Sequence, residues 1–310
     1  MEAKFTIVGL GEALFDVFGS RSVLGGAPLN VAVHAQQAGR PIGGRGVMVS
    51  RIGNDKLGRR IQEELAGRHM TADFVQVDPH HKTGEVFVTV NDGEPSYEIV
   101  RDVAWDKLRM DDQTTELARS CDAVCFGSLA QRDAVSRGMI ELFVESAPQA
   151  IRMFDVNLRQ EYYSVDVLRR SCELASVVKV NREELPAVVD LLDIDVPEHA
   201  DEIRNDRRAA ALLEAFNLDL LVFTQGAKGT VLYTRDRKYM GDPVHYRPVD
   251  QADSVGAGDA CSAGLLIGLV QKWPTERTLK LANHLGAFVA SQPGATPALP
   301  DAVLRLVREA

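Results

Sequence analysis

The stretch "GVMVSRIGNDKLGRRIQEELAGR", Gly46 to Arg68, passes from a short β-branched run directly into a segment with helical spacing. A strand followed within a few residues by a helix is half of a βαβ unit. The rhythm repeats along the chain. Apolar runs recur at "FTIVGL" (from Phe5), "DAVCF" (from Asp122), "IRMFDV" (from Ile151), "SVVKV" (from Ser176) and "LDLLVFT" (from Leu218). Helical spacing recurs at Pro28–Ala38, Asp133–Val144 and Asp206–Phe216. The C-terminal third adds helices near Asp259–Val270, Thr275–Ala290 and Pro300–Arg308. Apolar strands separated by amphipathic helices predict an α/β fold: a mostly parallel central sheet with helices on both faces.

One segment departs from the rhythm. "EVFVTVNDGEPSYEIVRDVAWD" (from Glu85) alternates with period two around "NDGEP", which predicts an antiparallel hairpin. A hairpin alone is weak and must pair or pack, and "EALFDVFGS" (from Glu12) offers a further strand. A small β-sheet beside the α/β body would form a lid, made mainly of residues 12–24 and 84–104. No repeat, low-complexity tract or linker interrupts the chain, so residues 1–310 read as one domain carrying that lid.

The bulk properties narrow the function classes. The chain has 310 residues, 45% hydrophobic and 25% charged, enough for a sizeable core. Its formal net charge of -9 argues against a nucleic-acid or anionic-membrane surface, since both need clustered Lys and Arg. Cys121, Cys125, Cys172 and Cys261 match neither a zinc spacing nor a disulfide framework, and "CDAVC" reads as strand-borne core. Reduced thiols, an N-terminus unlike a signal peptide and apolar runs short of the ~20 residues of a membrane helix predict a cytoplasmic protein. The seven histidines form no metal spacing. His80 and His81 read as a solvated loop, and His34 as a helix-surface residue.

Chemistry concentrates in "VDQADSVGAGDACSAGLLIGLV", Val249 to Val270. Gly256 and Gly258 allow tight backbone conformations and close approach of a ligand. A helix starting just after them aims unpaired N–H groups and a positive dipole end at that ligand, which suits a phosphate. Asp259 then lies about 3–4 Å from where charge would develop on a transferred phosphoryl group. A carboxylate there does not help to hold a static anion. It makes sense as a base that takes the proton of an attacking hydroxyl. On "GAGD" alone, plain helix capping by Asp259 is the simpler explanation. Two further stretches change the balance. In "GGAPLNVAVHAQQAG" (from Gly25), Gly26 can pass close to a ligand, Pro28 suits a first helical turn, and Asn30 sets an amide beside it. In "GEALFD" (from Gly11), Asp16 follows the first strand, near the edge where open α/β sheets bind ligands. Asp and Asn suit a polyol, whose hydroxyls both donate and accept.

With these residues in place, the chain resembles the ribokinase-like (PfkB) family of sugar kinases. "GGAPLNVAVHAQQAGRPIGGRGVMVSRIGNDKLG" is similar to the family's N-terminal signature and "DSVGAGDACSAG" to its C-terminal one. "FDVNLRQEYY" (from Phe154), "VNREEL" (from Val180) and "FTQGAKGTVLY" (from Phe223) resemble its middle motifs in the expected order. Within the family, "GEALFDV", "GGAPLNVA", "VAWD" and "FDVNLR" look most like fructokinases. Ser254 and Cys261 are mild departures, standing where Thr and Phe are commonest.

The resemblance implies a ribokinase-like three-layer α/β/α domain with a small β-sheet lid, acting on a small sugar and ATP as a monomer or homodimer. Asp259 would be the catalytic base, with the amides of Gly256, Ala257 and Gly258 as anion hole. Asp16, Gly26 and Asn30 would hold the sugar, and Arg159 would touch the sugar or a phosphate. Asn181 and Glu184, spaced N-x-x-E, would orient Mg2+ and its waters. Thr224, Gly226 and Gly229 would line the nucleotide site, with Asn283 near the adenine. Asp253 and the Gly294 region resemble a monovalent-cation site, for which K+ is the candidate. Asp55 and Gly58 would lie in a loop near the sugar. Fructose is the expected acceptor, with 2-keto-3-deoxygluconate and ribose as alternatives, and a non-catalytic sugar sensor on the same fold as the rival of another class. No P-loop occurs, and "GLGEAL" lacks the third glycine of a dinucleotide site.

Overall fold

The computed structural model describes residues 3–19, 21–91, 94–196 and 201–309. In chain order its strands are β1 (Phe5–Leu10), β2 (Leu14–Phe18), β3 (Arg21–Gly25), β4 (Gly44–Gly53), β5 (Val75–Asp78), β6 (Gly84–Asn91), β7 (Glu94–Ile99), β8 (Ala123–Gly127), β9 (Ile151–Asp155), β10 (Val177–Asn181), β11 (Leu220–Thr224), β12 (Thr230–Tyr233) and β13 (Lys238–Met240). Its helices are α1 (Ala27–Gly39), α2 (Lys56–Gly67), α3 (Asp112–Ser120), α4 (Ala134–Glu145), α5 (Val165–Leu174), α6 (Glu184–Leu191), α7 (Asp201–Ala215), α8 (Ala257–Val270), α9 (Thr275–Val289) and α10 (Asp301–Arg308).

Among the described residues, nine strands form one sheet in the order β13-β12-β11-β10-β9-β8-β1-β4-β5. The pairs from β11 to β5 are parallel, and the β11–β12 and β12–β13 pairs at one end are antiparallel. β1 is buried at every position, as a strand covered on both faces must be. Its alternate residues feed different cores: Phe5 and Ile7 join Ala123, Cys125, Met153 and Leu266, while Val8 and Leu10 join Val124, Phe126 and Phe154. Period-two alternation thus supplies both faces of a three-layer α/β/α body, as the sequence predicts. α8 is apolar on all sides, and Ala260 to Gly268 are buried. Such a helix belongs in an interior, and it packs between α1 and α9.

The predicted hairpin is present. β6 and β7 pair antiparallel, and β6 pairs with β2, the strand expected from "EALFDVFGS". The small sheet has the order β3-β2-β6-β7. Asp92 and Gly93 of the expected turn lie outside the described residues. Phe15 and Leu24 of this sheet share a third core with Leu29 and Val33 of α1 and Met48 of β4. At the base of the hairpin, buried Trp105 carries the Arg132 guanidinium over its ring at 3.9 Å, and Arg132 pairs with Asp106 at 2.8 Å. All four cysteines are free and buried, as expected of core residues. No described helix is long and apolar enough to cross a membrane.

Candidate active site

The carboxyl ends of the parallel strands bring the polar residues together. Asp155 ends β9 opposite Lys179 of β10, and Asn181 and Thr224 end β10 and β11 opposite one another. Glu12 follows β1 after the single residue Gly11. Over this edge stand the first turns of α1 and α8, neighbours in the helical layer.

Gly256 caps α8 in a left-handed conformation, φ 77°. A Cβ built there would lie 2.4 Å from the Ala295 carbonyl oxygen, so both the dihedral and the contact demand glycine. The Ala257 N–H donates to Ser254 O at 3.2 Å. The N–H groups of Gly256, Gly258 and Asp259 have no backbone partner among the described residues, so the open donors differ by one from the expected set. Asp259 stands in the first turn of α8 and accepts a 2.8 Å hydrogen bond from the Asn30 side-chain amide. Asn30 is on α1, whose entry is set by Gly26, φ 109°, lying against the Glu12 carbonyl.

Below this turn lies a buried polar layer. Lys179 donates to Asp155 at 2.7 Å, and Ser262 donates to the same carboxylate at 2.9 Å. A Cβ on Gly258 would be 3.4 Å from the Lys179 ammonium, so this cation sits directly beneath the Gly-rich turn. Burial alone would lower the Lys179 pKa, but the Asp155 charge and hydrogen bond, together with Cys261 and Asp259, outweigh it and raise it. Burial, and then the Asp155 charge, push Asp259 up to about 6, against the opposing hydrogen bond from Asn30. Burial likewise raises Glu12 to about 7, with Asp259 adding to the shift. Glu12 Oε1 accepts the Ala27 N–H at 3.2 Å; Glu12 Oε2 and Asn30 Oδ1 are buried with no partner. Two unpaired buried acceptors beside the Asp259 carboxylate are suited to hydroxyl donors.

Asp16 does not stand at the carboxyl end of the first strand. The chain leaves the large sheet after β1, and Asp16 lies on β2 of the small sheet. Burial raises its pKa to about 6, opposed by the charge of exposed Arg159 and aided by that of Asp253. Arg159 also acts on Glu12 and Asp259, so its charge bears on the same space.

On the other side of α8, Gln225 and Gly229 close a tight turn, with Gly226 at φ 59° and Gly229 at φ 85°. Asn283 of α9 donates to Asp242 O at 2.9 Å, and its amide lies 3.2 Å from a Cβ built on Gly229. Thr224, Gly226, Gly229 and Asn283 therefore belong to one neighbourhood. Asn181 and Glu184 form a reciprocal cap on α6. Asn181 Oδ1 accepts the Glu184 N–H at 2.9 Å, and Glu184 Oε2 accepts the Asn181 N–H at 2.9 Å. Glu184 Oε1 takes the Leu158 N–H at 3.1 Å, tying "VNREEL" to "FDVNLR". Burial, followed by the Asp155 charge, raises the Glu184 pKa. Asp253 accepts the Gly294 N–H at 2.9 Å and the Val255 N–H at 3.0 Å, which joins the two stretches of the expected cation site.

Two further expectations are corrected. His34 is fully buried, because α1 lies under the loop at Ala295 rather than on the surface. Asp55 is the N-cap of α2, accepting from Gly58 and Thr83, and Gly58 lies inside that helix. The sequence reading also missed Glu12, Asp155, Lys179 and Ser262. Lys179 carried a signal: a lysine inside the apolar run "SVVKV" must be paired when buried.

The pfkB family carbohydrate kinase model matches residues 10–302 of the chain. The fructokinase of Escherichia coli is 30% identical over 327 residues, covering 97% of each protein. A fructokinase from Xylella fastidiosa, solved with bound ATP, has a TM-score of 0.81 and 26% identity, covering 98% of both chains. A double mutant of the fructokinase from Vibrio cholerae, in fructose, ADP and potassium ion bound form, has a TM-score of 0.77 and 26% identity over 99% of both chains.

Proposed function

The chain belongs to the pfkB family of carbohydrate kinases, and on that premise we propose that it transfers the γ-phosphoryl group of MgATP to a primary hydroxyl of fructose. One observation carries the assignment of roles. Asp259, hydrogen-bonded to Asn30, stands at the N-terminus of α8 beside the unpaired N–H groups of Gly256 and Gly258. A base and an anion hole thus occupy one helical turn, as in-line phosphoryl transfer requires.

In this reading Asn30 Oδ1, Glu12 and Asp16 accept hydroxyl hydrogens of the sugar and turn its primary hydroxyl toward Asp259. Asp259 takes the hydroxyl proton as the new O–P bond forms and the bond to the departing ADP breaks. The open amides of the Gly-rich turn and the Lys179 charge beneath it favour negative charge on the transferred group. Asn181 and Glu184 would orient magnesium, which would supply charge neutralisation at the phosphates. Both oxygens of Glu184 already accept backbone N–H groups, so it fits holding the ion through water rather than directly. Thr224, Gly226, Gly229 and Asn283 would line the nucleotide, and Asp253 with the Gly294 loop would hold K+. The whole chain would act as one domain, with the β3-β2-β6-β7 sheet closing over the sugar as a lid. Four buried thiols suit the cytoplasm.

Fructose is favoured by the relatives named fructokinase and by the charge of the site. Glu12, Asp16 and Asp259 surround the expected sugar, which suits a neutral polyol better than an acid. Arg159 favours 2-keto-3-deoxygluconate as the second reading, since its charge bears on the same carboxylates. The test is kcat/KM for fructose, ribose, glucose and 2-keto-3-deoxygluconate with MgATP, read by ADP release. A tenfold preference for a competitor, about 1.4 kcal/mol in transition-state binding, refutes the fructose assignment. No turnover of any sugar, with sugar still bound, would favour a sensor.

A further inference from the structure

Buried His34 is a residue for which the reaction outlined above has no role. It is fully buried on α1, one helical turn beyond Asn30. Its Nε2 lies 2.9 Å from the Ala295 carbonyl oxygen, so the neutral ring carries its proton on Nε2 and donates. Nδ1 is buried with no partner. An apolar side chain of similar size would fill the space without burying an unpaired nitrogen, so packing alone does not account for a histidine. What the histidine adds is the donor. The acceptor, Ala295 O, is the atom lying 2.4 Å from where a Cβ on Gly256 would be, and is the rear wall of the Gly-rich turn. Ala295 also follows Gly294, whose N–H is held by Asp253 at 2.9 Å.

We propose that His34 is a positioning residue for phosphoryl transfer. α1 grips the first turn of α8 at two points: Asn30 bonds Asp259 in front, and His34 holds Ala295 against Gly256 behind. The second grip keeps Gly256 in its left-handed conformation and the open amides of the turn in line with Asp259. Release of Ala295 O lets the rear wall move, and small misplacements of a catalytic turn carry large rate penalties. The sugar-binding atoms stay where they are, so the loss falls on kcat.

This inference rests on the kinase reading, and the variants separate the two. Turnover by the wild-type protein tests the kinase reading; ratios among variants test His34. His34→Leu removes the donor and His34→Gln keeps an N–H donor on a side chain of similar reach. Expected are a ten- to hundredfold loss of kcat in His34→Leu with sugar KM within threefold, and recovery of most of that loss in His34→Gln. Full kcat in His34→Leu, or equal losses in both variants at equal thermal stability, overturns the proposal. The 15N resonances of the His34 ring in the wild-type protein give a measurement independent of any variant. Nε2 should stay protonated and shift when ADP and fructose are added, and an unchanged ring signal at saturation would sink the coupling.

Discussion

Replacing Asp259 by Asn should make the protein almost inactive and, at neutral pH, more stable. The two effects have one origin. The carboxylate stands over Asp155 in a site that raises its pKa from 3.8 to about 6. Its ionised form is therefore disfavoured by the fold. The folded state binds the extra proton between about pH 4 and 6, so stability from this group falls as pH rises through that range. A shift of about 2 units corresponds to about 3 kcal/mol above pH 7, and partial exposure of the side chain to the cleft reduces that to about 1–3 kcal/mol. Asn carries no such penalty and retains an oxygen for the Asn30 amide. At pH 5 the gain should shrink to about half. Activity moves the other way. Loss of a general base costs about 10²–10⁴ in kcat, or about 3–5.5 kcal/mol of barrier. Urea unfolding at pH 8 and pH 5, with ADP release at saturating sugar, measures both. A variant with more than a tenth of wild-type kcat, chemistry being rate-limiting, refutes the base assignment. One that is less stable than wild type at pH 8 refutes the electrostatic account.

Asp16→Ala and Asn30→Ala should each weaken sugar binding by about 1–3 kcal/mol while leaving ADP affinity unchanged, because each strands a hydroxyl partner. Calorimetry with each ligand alone checks this, and equal losses for both would indicate general damage. Gly256→Ala forces a Cβ to within 2.4 Å of a backbone carbonyl at φ 77°. It should cost more than the ~1–2 kcal/mol of the left-handed conformation and lower kcat at least tenfold. Wild-type kcat in a stably folded Gly256→Ala would show that the turn does not shape the anion hole. Amide exchange in Gly84–Asn91 and Glu94–Ile99 should slow at saturating fructose if the small sheet closes; unchanged exchange argues against a lid.

The fold was legible because periodicity is a local property. The runs at Phe5, Gly46, Asp122, Ile151, Ser176 and Leu218 all became strands of the large sheet, and the period-two stretch from Glu85 became β6 and β7. The Gly-rich turn was legible too, since Gly256 answers to a left-handed dihedral that only its own short stretch needs to specify. The N-x-x-E spacing of Asn181 and Glu184 was visible, but its immediate work as a reciprocal cap on α6 emerged from the hydrogen bonds. Other features depend on residues far apart in sequence. Lys179 under Gly258, Asn30 on Asp259 and His34 beneath Ala295 are contacts between distant segments. A histidine on a helix has no intrinsic inside or outside. Its burial is set by the loop that crosses it, 261 residues further along the chain. Local spacing therefore determined the strands, the helices and the glycine turn. The tertiary structure alone decided which charges share one site, because desolvation and charge coupling act through space and leave no mark in the order of residues.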